Sequence, residues 1–374
     1  MYTRRIPIVM PTSRHLLATA LLVTMAACGG DERDRASTLD PTAAGPGRLG
    51  AGLVFTADEG SNSVSRVDLQ SGQVTRLALS IEPHNVQVSP DGEWLLAVGP
   101  PAGDGMPAEH GAEGGREHDE TVAAPGRLVI LATDSLGDQT AAEVLIGQHP
   151  AHVVVGPDNR LAYTTNSADN SVIVVDIARR QAVDTIPTWA FLHGLRLRPD
   201  GREIYVACVD DNSVSVIDTQ AAREVTRIPV GRAPVQVGFT PDGRHAYVSL
   251  RDENGVAVID AATRQRIATI PVGSSPIQLF ATPDGRFVYV ANQGTETTPD
   301  STVSVIDTRR NAVVETLITG RGAHGVVVSD DGSRVFIANS FANTVSVIDV
   351  ASQRVIGSVA VGEKPGGITY LAPE

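Results

Sequence analysis

Cysteine, aromatic residues and basic charge are all scarce in this chain, and each shortage excludes something. Only two cysteines, Cys28 and Cys208, occur among 374 residues. If the first is consumed by modification, no intramolecular disulfide can form. Cys208 lies in the apolar stretch "EIYVACVD", where a thiol packs against neighbours rather than reacts. Aromatic residues make up 4% of the chain, so a core must be built from small β-formers, chiefly Val. The formal net charge is -13. The first 27 residues hold Arg4, Arg5 and Arg14 and no acid, so the remainder is more acidic still. Nucleic acid and anionic membrane surfaces are therefore excluded as partners, since both demand a basic face.

Long hydrophobic runs are lacking too. The apolar run "LLATALLVTMAAC" is too short to cross a bilayer as a helix, but behind three arginines it has the form of a signal-peptide core. Ala26 and Ala27 directly before Cys28 resemble the lipobox of bacterial lipoproteins, with Met25 where Leu is usual. Two outcomes stand: lipidation of Cys28, or a plain secretory signal cut near Ala27. The lipoprotein resemblance, with Gly29 rather than Asp after the cysteine, implies an outer-membrane anchor facing the periplasm. Membrane contact would then be through that lipid alone. Residues 28–50 are polar and rich in Gly, Pro and charge, and read as a flexible tether.

From residue 51 onward one pattern recurs about every 42 residues. The stretches "REIYVACVDDNSVSVIDTQAAREVTRIPVG" and "RHAYVSLRDENGVAVIDAATRQRIATIPVG" show it best. Each unit holds four short alternating strands, here A to D, with a Pro-Asp-Gly turn between A and B. Complete units begin near Ile81, His149, Trp189, Arg232, Ser274 and Arg321. The repeat region starts in mid-unit with a strand B at "LVFTADEG" and ends with a lone strand A in "EKPGGITYLAPE". Joining these fragments gives a seventh blade. The prediction is an all-β, seven-bladed β-propeller over 51–374, with the C-terminal strand closing the ring on the N-terminal blade and leaving no free sheet edge.

The stretches "YVAN", "IANS" and "NSVSVIDT" resemble the YVTN repeat family of bacterial propellers. The resemblance implies the fold. It leaves function open, because related propellers include surface-layer and periplasmic binding proteins, lactonases, amine-dehydrogenase subunits and haem-binding nitrite-reductase domains.

Strand A is innermost in a propeller, so the residues leading into it rim the channel. His84, His193 and His324 fill the same slot in three of the seven lead-ins, and His152 falls one place later in a fourth, a column shared with Gln236 and Gln278. Two readings compete. In one, each imidazole satisfies a backbone carbonyl at its own blade. In the other, the four point toward the axis and hold Cu, Zn or haem iron. Blade two adds an insertion at about 100–126 carrying His110 and His118 among acids, which reads either as a disordered loop or as a metal-collecting lid. Trp189 and Phe191 fall on the same face, as a pocket wall or a plug of the rim. Asn62, Asn170, Asn212, Asn254 and Asn343, one per blade before strand C, look structural, as do the turn aspartates.

No Ser-His-Asp order, defined carboxylate pair, phosphate-cradling glycine loop or CxxCH sequence is present. This favours a monomeric binding propeller over an enzyme, its His-rimmed face taking a small ligand, a metal or an envelope protein. The alternative is a metal- or haem-dependent oxidoreductase or hydrolase, with lactonase activity resting on fold analogy alone.

Overall fold

The computed structural model describes residues 49–103, 124–134, 142–189 and 191–373. Cys28, the leader, the tether up to residue 48, and His110 and His118 of the insertion lie outside the described residues. Seven four-stranded antiparallel sheets form the ring of a β-propeller. Six have strands in chain order. Blade one is composite: Pro365–Leu371 pairs with Leu53–Asp58, which continues to Ser63–Asp68 and Val74–Ala78. Blades two, three and four begin with strands A at Asn85–Val88, Pro150–Val155 and Leu192–Leu197.

The hydrophobic pattern explains this arrangement. Strands A, B and C of each blade are almost wholly buried, whereas strand D is mostly exposed, as in Gln181–Pro187. Their side chains pack face to face with the next blade, giving seven hydrophobic clusters, one at each junction. Strand B supplies the few large residues, and Tyr205, Tyr247, Tyr289 and Phe336 are fully buried. With the apolar side chains spent between blades, the axis is left to polar groups.

Turn chemistry sets the registers. The Thr240 hydroxyl donates to Asp242 Oδ1 at 2.7 Å and the Arg244 N–H donates to the same oxygen at 3.0 Å, while Gly243 adopts φ +65. The hydroxyl holds the Asp242 carboxyl below its usual range, and Ser329 does the same for Asp331. These aspartates are spent on their own turns.

The asparagines before strand C do more than turn the chain. Asn170, Asn212, Asn254 and Asn343 sit at φ between +49 and +56, a region Asn tolerates better than most residues. Each side chain then accepts a hydrogen bond from the N–H of the residue leading into the next blade: Phe191 at 2.8 Å, Ala233 at 3.0 Å, Ser275 at 2.9 Å and Lys364 at 3.0 Å. Asn212→Ala loses both the left-handed tolerance and a bond to Ala233, and should lower unfolding free energy by about 2 kcal/mol in urea titrations. A change under about 0.5 kcal/mol would show that the clasp adds nothing beyond an ordinary surface site.

Candidate metal centre

In a regular strand successive side chains alternate between faces, so a histidine one place out of step would turn away from its fellows. Here the register slips at the head of strand A in several blades: between Pro150 and Val153, Leu192 and Leu195, Pro234 and Val237, Pro276 and Leu279, and Ala323 and Gly325. A bulge of this kind re-aims side chains. It lets His152 join His84 and His193 although it falls one position later in the repeat.

All four rings are buried, with 2 to 4% of their surface exposed. His152 and His193 stand 4.9 Å apart between ring centroids, His84 and His193 5.3 Å, and His84 and His152 5.5 Å. One ligand nitrogen from each of these three lies within 4.8 Å of the other two. They come from three consecutive blades. His324, from blade seven, stands further off at 6.3 Å from His84 and is not in that group.

The partners of the ring nitrogens assign the tautomers. His193 Nδ1 lies 3.0 Å from the Val235 carbonyl and His324 Nδ1 3.1 Å from the Gly366 carbonyl. A carbonyl only accepts, so each ring donates from Nδ1, and the neutral form then has its lone pair on Nε2. His84 Nδ1 pairs with the Glu59 carboxylate, which favours the same arrangement. His152 differs. Gln236 Oε1 accepts the Val237 N–H at 2.8 Å, which turns the amide nitrogen toward His152 Nδ1 at 3.3 Å. That nitrogen donates, so a neutral His152 keeps its proton on Nε2.

Backbone contacts hold the rings in place. The Thr165 hydroxyl accepts the His152 N–H at 3.0 Å and donates to the His193 carbonyl at 2.6 Å, tying two histidine-bearing strands together. A Cβ on Gly194 would come within 2.5 Å of the Val235 carbonyl oxygen, so the close approach of blades four and five beside His193 requires glycine. Glu59 and Glu82 put negative charge beside His84. Burial pushes the Glu82 carboxyl up, and the Glu59 charge adds to the rise.

Asn85, His152 and Gln236 also line a cavity of about 150 Å³ in the channel, together with Arg196, Gln278 and Phe280. Trp189 and Phe191 are not among its lining residues. Trp189 is 60% exposed and lies under the Arg227 guanidinium at 4.5 Å, while Phe191 takes the left-handed conformation (φ +49) shared by Ala233, Ser275 and Lys364 at equivalent positions. Burial pushes the Cys208 thiol up to about 12, which leaves it little thiolate character. Two groups escaped the sequence reading. Glu59 belongs to a short connection after strand B of blade one, where only the composite blade reveals its neighbours. Arg196 was visible as a charge inside an innermost strand.

The family model described as YNCE-like beta-propeller matches residues 128–283 and 277–373. No curated protein matches the chain. Among solved structures, the periplasmic gluconolactonase of Pseudomonas aeruginosa is 22% identical, with 86% of this chain and 99% of that one covered at a TM-score of 0.66. A functionally unknown protein from Desulfotomaculum acetoxidans is 18% identical over 87% of this chain and 100% of its own, with a TM-score of 0.70. Hydrazine synthase of Kuenenia stuttgartiensis is 20% identical over 78% and 95%, with a TM-score of 0.63. At such identities the likeness is one of fold.

Proposed function

Given that the chain belongs to the YNCE-like beta-propeller family, we propose that it is a binding propeller whose channel holds one transition-metal ion on His84, His152 and His193. The observation that carries this reading is the buried triangle of ring nitrogens within 4.8 Å of one another. Nitrogens around a tetrahedral ion at ordinary Zn–N lengths sit about 3.3 Å apart, so the triangle must tighten by up to about 1.5 Å. Metal-bound histidines usually donate their other ring N–H to a carboxylate or carbonyl, and Glu59 and the Val235 carbonyl stand in those places. Three imidazoles without thiolate suit Zn²⁺ or Cu²⁺. A haem plane does not fit, because the rings are too close together and the adjoining cavity is too small. With three protein ligands a further coordination position stays open, as in zinc sites that take a small molecule.

Chelator-stripped protein dialysed against Zn²⁺ and Cu²⁺ should take up about one equivalent of at least one of them, read by elemental analysis. Uptake of neither would end the proposal. His152 is the reluctant ligand, since its Nε2 proton must leave and the Gln236 amide must turn. In Gln236→Glu one carboxylate oxygen can still accept the Val237 N–H while the other accepts from His152 Nδ1, which frees Nε2 for the ion. This variant should bind the metal about tenfold tighter, in line with the effect of such supporting contacts elsewhere, as measured by competition with a chromogenic chelator. Unchanged or weaker binding would remove His152 from the ligand set.

A second reading, hydrolysis of a lactone, is favoured by the channel cavity that shares His152 with the triangle and by the likeness to a protein named a periplasmic gluconolactonase. Metal-loaded protein that leaves aldonolactones unhydrolysed above the solvent rate would set it aside. We also propose an envelope location, supported by the apolar run before Cys28. Labelling of that cysteine by a fatty-acid probe in cells, absent in Cys28→Ala, tests it.

A further inference from the structure

Beyond the imidazoles, the channel wall presents two donors with no acceptor among the described residues. Arg196, on strand A of blade four, reaches the cavity of about 150 Å³ with its guanidinium 5.1 Å above the Phe280 ring. Desolvation alone, with no neighbouring charge, pulls its pKa down to about 10. Asp330 is the one carboxylate on the described wall, and it stands by Tyr370, whose phenol it helps to push up, after burial. Gln278, 5% exposed, lines the same cavity, and its side-chain nitrogen has no hydrogen-bond partner.

A guanidinium taken from water without a counter-charge lowers stability, and an unsatisfied buried amide lowers it further. An occupant that accepts hydrogen bonds and carries negative charge resolves both. From Arg196, Gln278 and the cavity between them, we propose that the channel binds a small monocarboxylate, its oxygens accepting from the guanidinium fork and from the Gln278 amide. Size and charge narrow the choice. A cavity of this volume suits about six non-hydrogen atoms. It shares Gln87, Asp330 and Tyr370 with a wider cavity of about 800 Å³ toward the Pro-Asp-Gly turns, where Asp68, Asp91 and Asp134 outnumber Arg66. That acidic approach opposes a multiply charged anion more than a monoanion, which selects carboxylate over phosphate.

The test is calorimetric titration of the full chain, chelator-stripped and then metal-loaded, with acetate, lactate, pyruvate and inorganic phosphate. At least one monocarboxylate should bind the stripped wild type and outcompete phosphate. Arg196→Met, which keeps the stem against Phe280, should lose about tenfold or more in affinity, and Gln278→Leu a smaller part of it. Without ligand, Arg196→Met should melt at or above the wild-type temperature, because it removes a half-buried, partly desolvated charge that no carboxylate among the described residues pairs; a structural arginine would give the opposite shift. No monocarboxylate binding in either metal state, equal affinity in Arg196→Met, or preference for phosphate each overturns the proposal. Because the stripped protein is expected to bind, failure of the three-histidine metal site would leave this result standing, and the reverse also holds.

Discussion

His193→Ala should weaken metal binding by about 100-fold or more, roughly 3 kcal/mol at tenfold per 1.4 kcal/mol. The imidazole is the middle member of the triangle, closest to His152 and next closest to His84. Its loss leaves only two imidazoles, with ring centroids 5.5 Å apart, and one ligand fewer to hold the ion. Thr165 holds the main chain at this position through the His193 carbonyl, which alanine retains, so the strand should keep its place. His324→Ala is the matched control. It removes an imidazole equally buried and equally bonded to a carbonyl, but outside the triangle. Metal affinity should stay within about threefold of wild type there, since His324 contributes no nitrogen to the ligand group. Competition titrations on both variants, with circular dichroism to verify the fold, decide the matter. Equal loss in both would mean that the rings act only through packing; loss in neither would mean that the ion, if bound, sits elsewhere.

Ending the chain at Gly362 should abolish the cooperative fold. The deleted segment contains Pro365–Leu371, the innermost strand of blade one, which pairs with Leu53–Asp58 from Leu53 opposite Leu371 to Asp58 opposite Pro365. Its removal leaves Leu53–Asp58 with an open edge, takes Ile368 and Tyr370 from the cluster that joins blades seven and one, and deletes the Gly366 carbonyl that holds His324. A ring has no spare junction: opening one strand pair exposes two blade faces and an aggregation-prone edge together. Loss of the native β signal or of soluble monomer on gel filtration is expected. A truncated chain that melts cooperatively near the wild-type temperature would show that the closure is dispensable.

Blade number, strand order and the composite closure were all legible in the sequence, because a period of about 42 residues with alternating apolar positions and Pro-Asp-Gly turns states the topology almost literally. The mid-unit start at Leu53 and the lone strand near the end made the seventh blade a matter of counting. The four histidines were legible as a set for the same reason, since equivalent slots in a ring share a face. Trp189 shows the limit of that inference: being on the face did not bring it to the axis, and Arg227 covers it at the periphery instead.

What the chain could not state was side-chain direction. Whether His152 turns with or against His84 and His193 depends on a one-residue register slip at the head of strand A, and no local residue preference encodes such a slip. The tautomers depend on carbonyls and an amide from other blades, as Val235 serves His193 from 42 positions away. Arg196 could be read as a charge in an inner strand, but not as a guanidinium without a partner, because that depends on every strand around the axis. Repetition along the chain determines the ring, since each blade is a local unit that buries its faces on its neighbours. The chemistry of the axis is decided only in three dimensions, where seven such units bring one residue each to a common line.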